Sequence, residues 1–229
     1  MSIQRALVIG AGSGVGRATA DALTAAGIEV VASGRERDAT DPAQVAALFT
    51  EADPDLVVVA AGARPRMASI EAQTWESFSA PWNTDVKIAF EVGRAALARP
   101  LRPGSTVVIL SSGAALDGSP LSGGYAGAKR TQMFLVRYLQ REAQARELDV
   151  RFVSLAPRQL LVGTRIGDAA AAAYAAENGE SADAYMRRRF PAPLDASGVA
   201  RAIVSIALGE QERKGALLTV TADGIETHA

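Results

Sequence analysis

The sequence predicts a single α/β domain built as a doubly wound parallel sheet, and three observations carry that expectation. Short β-favouring runs alternate with helical stretches along the chain. The runs Asp55 to Ala61 and Thr106 to Leu110 are apolar almost throughout, as strands buried on both faces of a parallel sheet must be. The first strand-to-helix joint is crowded with glycine. No composition break or linker divides the 229 residues, so one domain spanning 1–229 is expected.

Composition narrows the function. With 24 basic and 25 acidic residues the net charge is −1, which gives no electrostatic footprint for nucleic acid or an anionic membrane surface. No apolar run reaches the length of a membrane span, and MSIQRALVIGAG lacks a signal peptide's apolar region. A cytoplasmic protein acting on a small molecule is expected. The chain has no cysteine, and its only histidine, His228, stands next to last, which argues against a Ser-His-Asp hydrolase and against a zinc site of the usual ligand types; no metal is expected.

Ala6 to Ile9 reads as the first strand. It runs into Gly10-Ala11-Gly12-Ser13-Gly14-Val15-Gly16 and then a helix closed by Gly27. A strand, a glycine-rich turn and a helix N-terminus form a phosphate cradle, because the backbone can approach the ligand and the helix offers N–H groups and a positive dipole end. The spacing is G-x-x-x-G-x-G at Gly10, Gly14 and Gly16; a G-x-G-x-x-G pattern would need glycine where Val15 stands.

Ile28 to Ser33 is the second strand, followed by Gly34-Arg35-Glu36-Arg37. An acid at the end of this strand would grip a ribose 2′-hydroxyl, whereas Arg35 suits a 2′-phosphate, so NADP is expected rather than NAD; the alternative is that Arg35 and Arg37, interrupted by Glu36, are solvated loop charges. A short helix from about Pro42 to Thr50 follows, with Asp41 as its cap; the further helix and strand expected before it are trimmed away. Trp82 to Arg99 reads as a long helix with Asn83 near its start and Val86, Phe90, Gly93 and Leu97 on one stripe, stopped by Pro100 and Pro103.

Ser111 to Lys129 then carries chemistry. Ser112 ends the Thr106 to Leu110 strand, and Tyr125 and Lys129 open a helix running to about Arg146. At i, i+4 they share one face, so an ammonium sits beside a phenol. A free tyrosine titrates at about 10, and a neighbouring cation makes the phenol more acidic and a better proton donor near neutrality. Ser112 would hold a substrate oxygen.

With Gly10, Gly14, Gly16, Asn83, Ser112, Tyr125 and Lys129 in this order, the chain resembles the short-chain dehydrogenase/reductase family, whose fold is Rossmann-type. The resemblance implies a tetrad of Asn83, Ser112, Tyr125 and Lys129: the serine orients a carbonyl, the tyrosine passes the proton, the lysine also holds the nicotinamide ribose, and the asparagine supports a water. It implies cofactor contacts from Gly10, Ser13, Gly14, Val15, Gly16, Arg35, Ala61 and Gly62, from Asp38 or else Asp41 as the adenine-contacting aspartate, and from Pro157 and Thr164 after the strand Val150 to Leu155. It also implies a homodimer or homotetramer built on the two long helices. Two departures stand out. The family's Asn-Asn-Ala-Gly is Val59-Ala60-Ala61-Gly62 here, and its Pro-Gly is Pro157-Arg158, with Thr164 two positions late.

Residues of about 158–195 are expected to form a substrate lid, with a helix Asp168 to Ala176, an Asn178-Gly179 turn and a second helix capped by Ser181. Arg187-Arg188-Arg189 is either a solvated helix face or a contact for an anionic substrate. Asp195 caps a helix through Leu208, Ala216 to Val220 is the last strand, and Ala222-Asp223-Gly224 resembles the family's closing loop. The expected activity is NADP(H)-dependent hydride transfer to and from a carbonyl or alcohol. The alternative is a regulatory or scaffold protein that binds NADP on the same fold.

Overall fold

A computed structural model describes residues 3–99, 101–210 and 216–228. Its strands are β1 (Arg5–Ile9), β2 (Glu29–Ser33), β3 (Leu56–Val59), β4 (Ser105–Leu110), β5 (Val150–Pro157), β6 (Leu217–Thr221) and β7 (Gly224–Thr227). They form one sheet in the order β2-β1-β3-β4-β5-β6-β7, parallel except for the final β6–β7 pair. Every residue of β3, β4 and β5 is buried, because helices cover both faces.

The period-two alternation of side chains divides the core. Leu7, Ile9, Val57, Val59, Val107 and Ile109 point into one layer, packed by α2 (Pro42–Ala52), α4 (Lys87–Ala98) and α6 (Gly124–Ala145). Ala6, Val8, Leu56, Val58, Val108 and Leu110 point into the other, beneath α1 (Gly14–Ala25) and α9 (Ala196–Ala207). Hydrophobic burial on two faces fixes the register, since a one-residue slip would exchange the layers.

The trimmed unit is visible in the topology. After β2 the chain goes directly into α2 and returns to β3 on the far side of β1, which leaves β2 as the half-exposed sheet edge. The Asp41 carboxylate caps α2 by accepting the Ala43 N–H at 2.8 Å. The closing loop is an antiparallel hairpin instead, with β7 continuing the sheet past β6.

The long helix expected over Trp82 to Arg99 is differently built. It starts as α3 (Trp75–Pro81), capped by Thr74, passes through a π-helical turn (Trp82–Val86), and continues as α4 to Ala98. Proline lacks the N–H that a helix interior needs, and the ladder widens directly after Pro81. The expected stripe is buried in part: Gly93 and Leu97 lie in the core with Ile88, Ala89, Val92 and Ala96, while Phe90 is half exposed. Pro100 lies outside the described residues. No helix among the described residues is long and apolar enough to cross a membrane.

Candidate active site

Parallel register sets Ile9 beside Ser33 and Val59, Val59 beside Ile109, and Leu110 beside Leu155. The glycine turn after β1, the segment after β3, the serines after β4 and Pro157 of β5 therefore open on one edge, the carboxyl ends where such sheets take ligands.

At the end of β1 the Gly10 and Ala11 N–H groups donate to the Ser33 carbonyl at 2.8 and 2.9 Å and turn the chain into α1. A Cβ on Gly16 would collide with the Gly10 carbonyl, and one on Gly10 would strike the main chain of Ala61. Only glycine lets the turn lie this close to the segment Ala61-Gly62. Gly14 and Val15 open α1, whose first N–H groups have no partner within a helix. Ser13 stands at the cap position, yet its side chain makes no capping bond. This backbone-lined concavity at a helix N-terminus fits the pyrophosphate of a dinucleotide.

Thr164 sits over the cradle, its methyl carbon 3.6 Å from where a Cβ on Gly14 would lie. Its hydroxyl donates to the Leu161 carbonyl at 2.8 Å and accepts the Gly167 N–H at 3.1 Å, capping α7 (Arg165–Glu177). The Arg165 guanidinium donates to the Ser13 hydroxyl at 3.1 Å. The helix thus begins three residues before Asp168, where the sequence places its start, and the added turn brings Arg165 to the cradle.

Arg35 is exposed just beyond β2. Beside it the Glu36 carboxylate accepts the Gly34 N–H at 2.5 Å, and that bond, with the nearby Arg37 charge, holds Glu36 below the usual carboxylate range. Asp38 accepts from the Thr40 N–H and hydroxyl at 2.9 and 2.8 Å, which keeps its carboxyl low as well and commits one of its oxygens to closing its own turn.

The Ser112 oxygen accepts the Ala114 N–H at 3.2 Å at the start of a short helix, α5 (Ala114–Asp117), so its own proton remains available to a ligand. Ser111 beside it is buried and donates to the Lys129 carbonyl at 2.9 Å, tying the end of β4 to α6. Tyr125 and Lys129 stand one turn apart on the buried face of α6, with the ammonium nitrogen 5.5 Å from the centroid of the phenol ring. That nitrogen donates to the Leu110 carbonyl at 3.1 Å and lies 3.1 Å from Oδ2 of Asp85. Burial pulls Lys129 down, but the Asp85 carboxylate, joined by the Tyr125 oxygen whenever that phenol is ionised, outweighs it and holds the ammonium above its ordinary value.

Asn83 is not part of this group. It is exposed on the outer face with Trp82, Val86 and Phe90. The π-helical turn rotates Asp85 inward to the place beside Lys129, where it is fully buried. The available signal was the alternative stripe Asp85, Ile88, Ala89, Val92, Ala96: an acid in register with buried apolar positions is uncommon without a partner.

Pro157 takes the Gly113 N–H on its carbonyl at 2.7 Å, and the Arg158 side chain pairs with Asp117 at 3.3 Å. Beyond them α7 and α8 (Ala182–Arg189) pack together, with the Tyr174 and Tyr185 rings stacked 6.0 Å apart. The Tyr174 hydroxyl also hydrogen-bonds Ser119, in the loop between α5 and α6. Of the three arginines, Arg188 pairs with Glu180 at 2.5 Å and covers the Tyr185 ring; all three are exposed.

Residues 34–207 match the model of a family described as Enoyl-(Acyl carrier protein) reductase. No curated protein sequence matches the chain. Among solved structures, a short chain dehydrogenase from Mycobacterium avium is 23% identical, with 99% of this chain and 84% of that one covered at a TM-score of 0.72. Sorbitol-6-phosphate 2-dehydrogenase from Erwinia amylovora is 20% identical over 95% and 98% of the two chains, at 0.80. Levodione reductase is 21% identical over 95% of each, at 0.78. These structural likenesses are ones of fold.

Proposed function

The chain belongs to the short-chain dehydrogenase/reductase family, and from that premise we propose that it is an NADP(H)-dependent oxidoreductase acting on a carbonyl/alcohol pair. The observation that carries the reading is the buried Lys129 ammonium 5.5 Å from the Tyr125 ring, at the ligand-binding edge of the sheet. Bound nicotinamide supplies the hydride. Tyr125 gives its phenolic proton to the substrate oxygen in reduction and takes it back in oxidation, while the Ser112 hydroxyl donates a hydrogen bond to that oxygen. Lys129 keeps its charge beside the phenol and reaches the ribose. Gly10, Ser13, Gly14, Val15 and Gly16 hold the pyrophosphate, Ala61 and Gly62 give main-chain contact, Pro157 and Thr164 border the nicotinamide, and Arg35 takes the 2′-phosphate.

Residues 158–195 act as the lid, latched to the active-site loop through the Tyr174–Ser119 bond. The half-exposed Phe90 on α4 and the exposed, stacked Phe134 and Tyr138 on α6 support assembly as a homodimer or homotetramer through these two helices.

The test of the chemistry is Tyr125→Phe, assayed on a panel of ketones, aldehydes and quinones. Turnover should vanish while NADPH still raises the melting temperature; turnover close to wild type would falsify the assignment. Firm binding by the wild type with no turnover across the panel would favour the regulatory or scaffold alternative. A second reading, NAD in place of NADP, draws on Glu36, whose carboxylate sits against Gly34 at the end of β2 where it could accept from a ribose 2′-hydroxyl. A larger melting shift with NADH than with NADPH decides for it; the reverse, abolished by Arg35→Ser, decides for Arg35.

A further inference from the structure

Asp85 has a setting that the reaction just described does not use. The residue is fully buried on the π-helical turn between α3 and α4. Its Oδ1 accepts the Ala63 N–H at 2.7 Å, its Oδ2 lies 3.1 Å from the Lys129 nitrogen, and its main-chain carbonyl accepts from Gln132 at 2.8 Å. The chain after β3 leaves room for it: a Cβ on Gly62 would stand 2.7 Å from Oδ2. Four elements thus converge on one carboxylate: the turn itself, the segment after β3, the end of β4 through the Leu110 carbonyl on Lys129, and α6. From these elements the ionisable groups that act on Lys129 are Asp85 and Tyr125; Gln132, Leu110 and Ala63 contribute neutral dipoles.

A carboxylate this deeply buried is stable only if it is paired, and the partner is the cation on which the phenol depends. An ammonium alone draws the phenol strongly toward phenolate. An ammonium with a carboxylate 3.1 Å away is a nearly neutral pair, whose pull on a third group is much weaker. The same contact fixes where the ammonium stands.

We propose that Asp85 is a positioning residue that sets the working pH of Tyr125 through Lys129, anchoring the ammonium and tempering its field so that the phenol keeps its proton to a higher pH than a lone lysine would allow. This rests on the reading of Tyr125 as acid and base.

The test is a spectrophotometric titration of the full chain without added nucleotide, following phenolate absorbance, with the Tyr125 contribution isolated as the difference between each background with and without Tyr125→Phe. Asp85→Asn should lower the Tyr125 midpoint by about one pH unit, since it exposes the phenol to an uncompensated cation. Lys129→Met, which leaves the carboxylate, should raise it. The double variant Asp85→Asn/Lys129→Met removes both charges and should return the midpoint close to wild type. It also keeps the test readable if Asp85→Asn alone does not fold, since Lys129→Met and the double variant then bracket the pair. A purely structural Asp85 would leave the Asp85→Asn midpoint at the wild-type value; that result, or any order other than Asp85→Asn, then wild type with the double variant, then Lys129→Met, overturns the proposal. Because the readout is ionisation and not turnover, its failure leaves the proposed reaction standing. Turnover by Tyr125→Phe would overturn the reaction without altering this order.

Discussion

Two ion networks stand at opposite ends of the sheet and behave as different kinds of structure. At the carboxyl ends, Lys129 and Asp85 are sealed from solvent, 7% and 0% exposed in their side chains. At the amino ends, Arg102 bridges Asp53 and Asp55 at 2.6 and 2.7 Å, and Asp55 also accepts the Gln4 and Arg5 N–H groups, but Arg102 and Asp53 are 40% and 55% exposed. The distances are similar and the environments are not. In water the attraction between two charges is screened and a broken pair is rehydrated; in the core a charge without its partner is stranded. The outer network pins the beginnings of β1, β3 and β4. The inner one stands beside the Tyr125 phenol.

The sharpest way to break the comparison is to remove one partner from each network. Lys129→Met strands the Asp85 carboxylate, and an unfolding free energy lower by about 3–5 kcal/mol is expected in urea titrations, together with loss of turnover. A loss under about 1 kcal/mol would show that water reaches Asp85 and that the two networks are alike. Gly62→Ala attacks the inner pair by crowding: a methyl group 2.7 Å from Oδ2 should cost about 1–3 kcal/mol and lower NADPH affinity, as read by melting and nucleotide titration.

Asp55→Asn is the outer counterpart, expected to cost about 1–2 kcal/mol at neutral pH because charge-assisted hydrogen bonds from Arg102, Gln4 and Arg5 are weakened. The networks should also fail at opposite extremes of pH. Burial works against the Asp55 carboxylate, but those bonds outweigh it and hold it below the ordinary aspartate value of 3.8. A lowered carboxyl stabilises above its unfolded value and loses that contribution as pH falls through the folded one, so the outer network weakens in acid, below about pH 4. Lys129 is held above 10.5, so its contribution is complete below that pH and is lost only in stronger alkali, as pH rises through the folded value. Stability curves of wild type and Asp55→Asn should therefore converge in acid and run parallel in alkali. The smallest expected effect on folding is that of Phe134→Asp, within about 0.5 kcal/mol on an exposed helix face, yet sedimentation should show a smaller assembly if α4 and α6 form the contact.

Much of this organisation was legible in the residues. The alternation of valine-rich runs with helices gave the parallel sheet. The glycine spacing gave the turn that only glycine permits at Gly10 and Gly16, and the i, i+4 pair gave Tyr125 and Lys129 on one buried face, because helical period and strand period are local properties of the chain. The failures share one cause. An unbroken α-helical period would carry Asn83 and Phe90 on the same stripe as the buried Gly93 and Leu97, but the π-helical turn after Pro81 shifts the phase, so Asn83 faces outward and Asp85 inward. A phase shift of one residue leaves no composition signal. Arg165 went unread for a related reason, since its meeting with Ser13 spans 152 positions of sequence.

The sequence by itself determined the sheet, the glycine turn at the head of α1 and the phenol beside its cation, since each follows from spacing within one element or one turn. Only the tertiary structure decided that the cation is shared with a carboxylate. That contact joins α6 to a distorted turn and to the chain after β3, and whether a buried charge is paired depends on which elements meet, which no single segment encodes.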